Sequence, residues 1–446
     1  MTVGILGGGL TGISIGYFLK TNGYEFQILE GGSEPGGLCR SQIIGDFTFD
    51  IGGSHVIFSR NETTLALMLD ILGDNVVKNR RNSAIFLEGK YVKYPLENNL
   101  ADLEPSLRDK CLNDFVEAET LQREGKENLP ENFMDWMYAN FGAGISDLYL
   151  VPYNEKLWCT SPKDLGVDWV QGRVPKPPVD DVKKAARNIP TEGYKHQLNF
   201  YYPVSGGIQA LTDTLIPTFG REKLITNAEV QQVSKRDGAW TVETTDGENR
   251  HYDKLISTIP IQNLAAAYDA IPEDVSKAVG NLDYVSIITV SVGVNKPQVS
   301  DRSWIYFPQK DIPFHRLSFP SNFSPDNAPK GHSSVLAEIS CKPGSGLWNE
   351  PDMTIASRVS DTLERLEYFS AGEIVFTHVA RNEFAYVLND RGYSANKQTF
   401  ESHFSDIGLI LCGRFSNYEY LNMDRCIESA AHVAKKHFPP KREEPG

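Results

Sequence analysis

The chain contains 446 residues, so at roughly 150 residues per domain it is too long to be a single small binding module. Hydrophobic residues make up 40% of it and charged residues 23%, a globular composition that excludes disordered and fibrous proteins. The 44 basic and 58 acidic residues give a net charge of −14 without a long Lys/Arg run, which argues against a nucleic-acid partner and requires local positive charge for any anionic ligand.

The six cysteines are spaced singly, without a CxxC pair, so we predict neither a metal site nor a disulfide framework. Reduced thiols favour a cytoplasmic location. The first apolar run, VGILGGGLTGISIGYFL (3–19), has no basic flank and is interrupted by glycines. We therefore expect no signal peptide and no membrane span.

The first predicted elements form a βαβ unit. Residues 2–6 (TVGIL) are typical of a short buried strand, residues 10–21 of a helix that ends at Gly23, and residues 24–29 (YEFQIL) of a second strand. Amphipathic helical patterns then fill residues 101–150 and predict an inserted helical subdomain.

Sheet patterns return after residue 201. Alternating residues around DG turns in 227–259 predict hairpin strands that end in a buried strand, and YVSIITVSVGV (284–294) predicts a further sheet. Residues 409–415 are typical of a last buried strand, and residues 423–438 of a closing helix.

A glycine-rich turn, GGGLTG from Gly7 to Gly12, lies between the first strand and the first helix, as in the dinucleotide motif G-x-G-x-x-G. Gly7 permits the tight turn, Gly9 lets the backbone approach a pyrophosphate, and Gly12 lets helix and strand pack closely. Glu30 ends the second strand, where an acid accepts hydrogen bonds from a ribose. A glycine turn without a ligand is the alternative, but the whole unit in register predicts a bound dinucleotide.

The residues after this acid distinguish FAD from NAD. Gly36-Gly37-Leu38-Cys39-Arg40 resembles the extended fingerprint of FAD-binding proteins of the amine oxidase and protoporphyrinogen oxidase superfamily. The segment ISTIP (256–260) resembles the place where that superfamily's chain returns to its FAD domain. The resemblance implies FAD as the cofactor.

Longer segments, in order along nearly the whole chain, resemble the UDP-galactopyranose mutase family, and its eukaryotic branch more than its bacterial one. They are GGSHVIFS (52–59), YVKYPLENN (91–99), FGAGISDLYLVPYNEKLW (141–158), DWVQGRV (168–174), YYPVSGGIQAL (201–211), WIYFPQKDIPFHRLSFPSNFSP (304–325) and GRFSNYEYLNMD (413–424). The resemblance implies an enzyme that converts a UDP-hexopyranose, UDP-galactopyranose above all, into its furanose without net redox change. Reduced flavin N5 would be the nucleophile, and NADPH or NADH the reductant.

Patterns and resemblance together predict an α/β fold with a Rossmann-type FAD-binding domain, an inserted helical subdomain and a mixed or antiparallel sheet that holds the substrate. We assign residues 1–100, 196–280 and 401–446 to the FAD-binding domain, residues 101–195 to the helical insert and residues 281–400 to the substrate sheet. The oligomeric state stays open, with a homodimer as one possibility.

A nucleoside diphosphate sugar brings negative charge, and planar guanidiniums suit phosphate oxygens. Arg173 and Arg316 match family arginines that grip the substrate pyrophosphate, although a lone Arg is more often a surface ion-pair residue. Further side chains match family positions at the substrate, with ordinary packing as the alternative for the aromatic ones. These substrate-binding candidates are Tyr94, Glu97, Asn154, Trp158, Tyr306, Tyr386, Tyr420 and Asn422.

On the flavin side, His55 matches a mobile histidine loop that responds to flavin redox state, and we group it with the two arginines as catalytic. Ser54 is an additional residue in this loop relative to the eukaryotic pattern. Arg414 matches a residue that pairs with flavin or substrate oxygens. The predicted cofactor-binding set is Gly7, Gly9, Leu10, Thr11, Gly12, Glu30, Gly37, Leu38, Arg40, Gly53, Ser54, His55, Val230, Arg414 and Met423.

One segment departs from the family pattern at the nucleobase. Where eukaryotic members have an aromatic residue and a glutamine after Tyr-Pro, this chain has Leu96 and Glu97. A carboxylate accepts hydrogen bonds but cannot donate them, so base recognition is expected to differ and another nucleotide sugar is an alternative substrate.

Two rival functions share the scaffold. A flavin oxidoreductase of the amine oxidase or protoporphyrinogen oxidase type has the same fingerprint, but an amine or apolar substrate would not need a diphosphate clamp. A catalytically silent nucleotide-sugar sensor would bind the same ligand without isomerising it.

Overall fold

A parallel sheet and a larger mixed sheet organise the fold of the computed structural model, which describes residues 1–126, 129–170, 174–191 and 198–441. The first strands in chain order are β1 (Thr2–Leu6), β2 (Glu25–Leu29), β3 (Ser41–Ile44), β4 (Phe47–Asp50), β5 (Val77–Arg80), β6 (Ser83–Leu87), β7 (Lys90–Lys93), β8 (Asn199–Tyr202), β9 (Leu224–Ile225) and β10 (Val230–Arg236). They continue with β11 (Ala239–Thr244), β12 (Asn249–Tyr252), β13 (Lys254–Ser257), β14 (Tyr284–Val294), β15 (Trp304–Tyr306), β16 (Arg316–Ser318), β17 (Ser333–Cys341), β18 (Ile374–Val387) and β19 (Leu409–Leu411).

The helices lie between these strands and cover the two sheets. In chain order they are α1 (Leu10–Thr21), α2 (Glu62–Leu72), α3 (Pro105–Arg123), α4 (Phe133–Ile145), α5 (Val151–Trp158), α6 (Val179–Ala186), α7 (Ala210–Phe219), α8 (Ile261–Ala267), α9 (Glu273–Gly280), α10 (Asp352–Arg365), α11 (Tyr393–Asp406) and α12 (Met423–His437).

The parallel sheet has the strand order β19-β13-β1-β2-β9, with β1 at its centre. Helix α1 returns the chain from β1 to β2, so the predicted βαβ unit is confirmed. Four of the five residues of β1 are buried because both faces of a parallel sheet are covered. Because β1 and β2 are parallel, their carboxyl ends lie at the same edge of the sheet, and the glycine-rich turn lies at that edge.

The mixed sheet has the strand order β18-β14-β17-β16-β15-β6-β7. Its pairs are antiparallel except for β15 and β6, which are parallel. The predicted strand 284–294 is confirmed as β14, but its alternating polar residues are buried as well. The reason is that β14 is central and covered on both faces, and Thr289 Oγ1 donates to the carbonyl of Ile51 at 3.0 Å.

The mixed sheet reaches into a segment that sequence analysis assigned to the nucleotide domain. Strands β6 and β7 lie within residues 1–100, yet β6 pairs with β15 from Ser83↔Trp304 to Ile85↔Tyr306. This pairing joins residues more than 200 positions apart, so no local pattern signals it. The first predicted FAD-binding segment therefore contributes two strands to the other sheet.

Helices α3 to α6 fall within residues 101–195 and pack on the β6–β7 end of the mixed sheet. Ile85 and Leu87 from the sheet share a buried cluster with Phe115 and Phe141 from the helices. Gly142 has φ +71°, and a Cβ there would lie 2.3 Å from the Asp114 carbonyl oxygen, so the two longest helices of this group touch closely.

Across the described residues, we find no helix with the length and apolar character that crossing a bilayer requires.

Candidate active site

A cavity of about 1280 Å³ lies between the two sheets. It is larger than the roughly 300–1,000 Å³ that is usual for a ligand pocket. The parallel sheet contributes the turn after β1 and the end of β2, and the mixed sheet contributes β15, β16 and β18. The cavity therefore has a glycine-rich end and an end of arginine and aromatic side chains.

The glycine-rich end has the backbone geometry of a dinucleotide site. Gly7 has φ +100°, and a Cβ at Gly12 would lie 1.9 Å from the Gly7 carbonyl oxygen, so both positions require glycine. A Cβ at Gly9 would meet only the Cα of Gly37 at 3.8 Å, and Gly9 lines the cavity. Helix α1 begins at Leu10 without a side-chain cap, so its free amides can face a phosphate.

Glu30 closes the same end of the cavity. Its two carboxylate oxygens accept hydrogen bonds from the backbone amides of Gly8 and Gly32, each at 2.8 Å. A carboxylate has about four acceptor sites, so these bonds orient Glu30 and leave capacity for two ribose hydroxyls. Glu30 and Val230 both line the cavity, as a dinucleotide site requires.

Arg414 lies on the cavity wall and is held by two backbone carbonyls. Its guanidinium donates to the carbonyls of Leu421 at 3.0 Å and Ala385 at 2.6 Å, and it stacks 4.5 Å from the centre of the Tyr420 ring. The buried Nε has no hydrogen-bond partner among the described residues. A buried unpaired donor is costly, so it fits a flavin or substrate oxygen. The glycine-rich end and Arg414 together fit FAD.

The His55 side chain is half-buried on the cavity wall. Its Nδ1 lies 2.8 Å from the Gly53 carbonyl oxygen. Burial, with a smaller effect of the Arg316 and Arg414 charges, lowers the pKa of His55 to about 4. The imidazole is therefore neutral near pH 7, carries its proton on Nδ1 and offers Nε2 as an acceptor.

Asp50 supports the loop that carries His55 from the protein interior. Its carboxylate is buried and accepts hydrogen bonds from Tyr202 Oη at 3.0 Å, Ser41 Oγ at 2.8 Å and the Ile208 amide at 3.0 Å. Burial raises the pKa of Asp50 to about 6, although these hydrogen bonds oppose the rise. Sequence analysis did not single out this residue.

Arg316 forms a bidentate ion pair with Glu338. Nε donates to Oε1 at 2.7 Å and one NH2 proton to Oε2 at 2.6 Å, across the β16–β17 pair. The Glu338 side chain is completely buried, whereas that of Arg316 keeps 24% exposure and lines the cavity. Burial alone would lower the pKa of Arg316, but the charge and hydrogen bonds of Glu338, together with Tyr386 and Tyr306, outweigh burial and raise the pKa well above its usual value.

A further arginine, Arg81, lies beside the tyrosines, and sequence analysis missed it. Arg81 lies 4.5 Å from the centre of the Tyr94 ring and 5.0 Å from that of Trp304. Both Arg81 NH2 and Trp304 Nε1 donate to Tyr306 Oη, at 3.3 and 2.9 Å. Arg81 lies outside the segments that resemble the mutase family, which is why the sequence did not reveal it.

Two further tyrosines face each other on the wall. The Tyr386 and Tyr420 rings stack with centroids 6.1 Å apart, and burial raises the pKa of Tyr386, which keeps its hydroxyl protonated. Trp158 packs edge-on against both rings, at 5.9 Å each. Trp158 thus supports the aromatic wall from behind.

Most of the predicted site residues line this one cavity. They are Gly7, Gly9, Leu10, Thr11, Glu30, Gly37, Leu38, Arg40, Ser54, His55, Tyr94, Val230, Tyr306, Arg316, Tyr386, Arg414, Tyr420, Asn422 and Met423. The lining set does not include Gly12, Gly53, Glu97, Asn154 or Trp158. Arg173 lies outside the described residues.

The three substrate candidates away from the wall are held by other contacts. Asn154 uses its amide within α5, where Nδ2 donates to the Leu150 carbonyl and Oδ1 accepts from Trp158 Nε1. Glu97 is 7% exposed in the short turn Leu96–Asn98. Burial raises the pKa of the Tyr94 phenol, and the nearby Tyr306 and Glu97 raise it further to a smaller extent. The structure therefore gives Asn154 and Trp158 supporting contacts and buries Glu97 beside the wall.

A sequence profile for the family described as flavin containing amine oxidoreductases matches residues 10–436. Among curated proteins, protoporphyrinogen oxidase 2, chloroplastic/mitochondrial, from Arabidopsis thaliana is 21% identical over 298 residues. The match covers 59% of this chain and 58% of that protein, so the chain spans little more than half the length of this relative.

Solved structures give longer matches. A reduced UDP-galactopyranose mutase is 25% identical with a TM-score of 0.89, over 98% of this chain and 95% of that one. Putrescine oxidase bound to putrescine is 14% identical with a TM-score of 0.67, over 98% of both chains, and shows the shared fold alone. The predicted α/β fold class is confirmed.

The glycine geometry yields a prediction that separates folding from cofactor binding. Gly12→Ala should lower the free energy of unfolding of the flavin-free protein by about 1–3 kcal/mol, because its Cβ collides with backbone. Gly9→Ala, at φ −75°, should leave it within about 0.5 kcal/mol but weaken flavin retention. Urea denaturation and flavin absorbance per chain measure the two effects. Full flavin affinity in Gly9→Ala would contradict a pyrophosphate at this turn.

The lowered pKa of His55 gives a pH prediction. Between pH 4 and about 6.5, the unfolded chain binds more protons at this residue than the folded chain, so the stability contribution of His55 should fall as pH falls through this window. NMR of labelled imidazoles, with His55→Gln to assign the signal, should report an apparent pKa near 4. A value near 6.5 would contradict the neutral, buried imidazole.

Proposed function

Since the chain belongs to the family of flavin containing amine oxidoreductases, we propose that it is a FAD-dependent mutase that interconverts UDP-galactopyranose and UDP-galactofuranose without net redox change. Similarity to reduced UDP-galactopyranose mutase over 98% of the chain supports this proposal. One geometric observation supports it most: a single cavity joins a dinucleotide turn at one end to an arginine fork and tyrosine hydroxyls at the other.

The arginine end suits a diphosphate. Arg316 uses Nε and one NH2 proton on Glu338, and its second NH2 proton faces the Ser54 carbonyl, so its two NH1 donors remain available toward the cavity. The hydroxyls of Tyr306, Tyr386 and Tyr420 lie on the same wall and can donate to phosphate oxygens while their rings pack. We propose Arg173 as a second diphosphate contact. The guanidinium donors of Arg316 offer no acceptor to an ammonium group, so this end suits a diphosphate better than an amine.

The chain's own groups then have separable roles in the reaction. Reduced FAD, when bound, supplies a nucleophilic N5 for the anomeric carbon, with NADPH or NADH as the proposed reductant. Arg316 and the tyrosines hold the diphosphate as it leaves and returns. Neutral His55 adds no charge at the flavin end and offers an acceptor at Nε2, while Arg414 Nε, which has no partner in the part of the chain that the structure describes, donates to an oxygen there.

The decisive experiment is an anaerobic assay of the purified flavoprotein. After reduction with dithionite, it should interconvert UDP-galactopyranose and UDP-galactofuranose, and the oxidised protein should not, because oxidised flavin lacks the nucleophilic N5. Chromatography of the nucleotide sugars measures the conversion, and NADPH or NADH in place of dithionite tests the reductant. Oxygen consumption with an amine or porphyrinogen substrate, and no sugar interconversion, would instead establish an oxidase.

Arg316→Lys should lower turnover on the order of 10²-fold, since an ammonium keeps the charge that Glu338 requires but loses the fork that positions the diphosphate. Lysine is preferable to alanine here because alanine would leave Glu338 buried and unpaired. The matched control is Arg365→Lys, at an exposed ion pair with Asp311. Wild-type turnover in both variants would rule out Arg316 as the diphosphate clamp.

A further inference from the structure

Glu338 contacts two parts of the site at once. Besides both bonds from Arg316, its Oε1 accepts a hydrogen bond from the Ser54 amide at 3.2 Å. Arg316 NH2 also lies 3.5 Å from the Ser54 carbonyl oxygen. One carboxylate therefore connects the arginine of the diphosphate end with the loop Gly52–His55 of the flavin end.

The loop fits so closely around Glu338 that glycine is required at Gly53. Its φ is +95°, and a Cβ there would lie 2.9 Å from Glu338 Oε2. On the other side, a Cβ at Gly52 would lie 2.1 Å from the Leu38 carbonyl oxygen, within the flavin fingerprint segment. The loop is thus held between the fingerprint and the buried carboxylate.

A purely structural ion pair would not need this second contact. Arg316 alone neutralises the Glu338 charge through two short bonds, and this ion pair compensates the cost of burying the carboxylate. The Ser54 bond adds nothing to that charge balance, but it fixes the loop backbone one residue before His55. This arrangement indicates that Glu338 positions the loop and does more than stabilise the core.

We propose that Glu338 is a positioning residue that orients Arg316 toward the substrate diphosphate and tethers the loop Gly52–His55, so that occupancy of the diphosphate end alters the flavin end. This inference rests on the proposed function for its diphosphate part. The tether itself is a property of the chain and can be tested without substrate.

The test compares hydrogen–deuterium exchange of Glu338→Gln with that of the wild-type holoenzyme. Gln offers one neutral acceptor oxygen in place of two charged ones, so it cannot hold both the Arg316 fork and the Ser54 amide as Glu338 does, and exchange at the Ser54 amide should rise about tenfold or more. Glu350→Gln is the matched control, because it makes the same chemical change at the half-exposed pair with Arg358. Unchanged exchange across residues 50–58 in Glu338→Gln would overturn the tether.

Gly53→Ala serves as the second variant, and it decides the question if Glu338→Gln does not fold. Its Cβ pushes the loop from the carboxylate but leaves the Arg316–Glu338 pair in place, so exchange should rise in residues 50–58 and stay low in the β16 and β17 peptides. Equal protection of the loop in Gly53→Ala and wild type would overturn the proposal.

UDP addition tests the coupling. In the wild type, saturating UDP should change exchange in residues 50–58, and in Glu338→Gln this response should be lost although UDP still binds by calorimetry. A retained response in the variant would overturn the coupling. Failure of the wild type to bind UDP would refute the diphosphate site and with it the proposed function, while the substrate-free comparison still decides the tether.

Discussion

A carboxylate without solvent exposure must be neutralised where it lies, and Glu338 meets this demand through Arg316 on the neighbouring strand. The pairing fixes the β16–β17 register, because a slip of one residue would turn either side chain to the opposite face of the sheet. It also turns the guanidinium so that its remaining donors face the cavity. The Arg316–Glu338 contact thus both neutralises a buried charge and orients the guanidinium in the site.

The opposite end of the cavity depends on contacts of backbone with backbone. At Gly7, Gly9 and Gly12 the side chain is absent for different reasons: a positive φ, an open approach and a close helix–strand contact. The same principle recurs at Gly52 and Gly53, where the loop lies against the fingerprint and the buried carboxylate. Small residues therefore determine the shape of the flavin end, and large aromatic residues determine that of the other.

Local patterns predicted local structure well. The strand of residues 2–6, helix α1 over residues 10–21 and strand β14 were predicted with the bounds that the structure has, because each follows from burial periodicity within a short segment. The predicted strand 409–415 is shorter, at Leu409–Leu411. The pairing of β6 with β15 and the contact of Arg81 with Trp304 join residues more than 200 positions apart, so no short window of sequence contains them.

The site was predicted unevenly for the same reason. Nineteen of the residues named from motifs line one cavity, but the motifs could not show that the Asn154 amide bonds within α5 or that Glu97 is buried beside Tyr94. The clearest missed signal is Glu338 itself, a charged residue within the segment SSVLAEIS, which forms the buried strand β17. A charge in that position requires a buried partner, and the partner marks the site.

The placement of β6 and β7 in the mixed sheet has a mechanical consequence. The chain crosses from the parallel sheet to the mixed sheet before β6 and is back in the parallel sheet at β9. It enters the mixed sheet again at β14 and the parallel sheet again at β19. Four covalent links resist a hinge rotation that would separate the two halves. Ligand exchange should therefore depend on displacement of segments at the cavity mouth, and a single proteolytic cut between β5 and β6 should leave both halves associated.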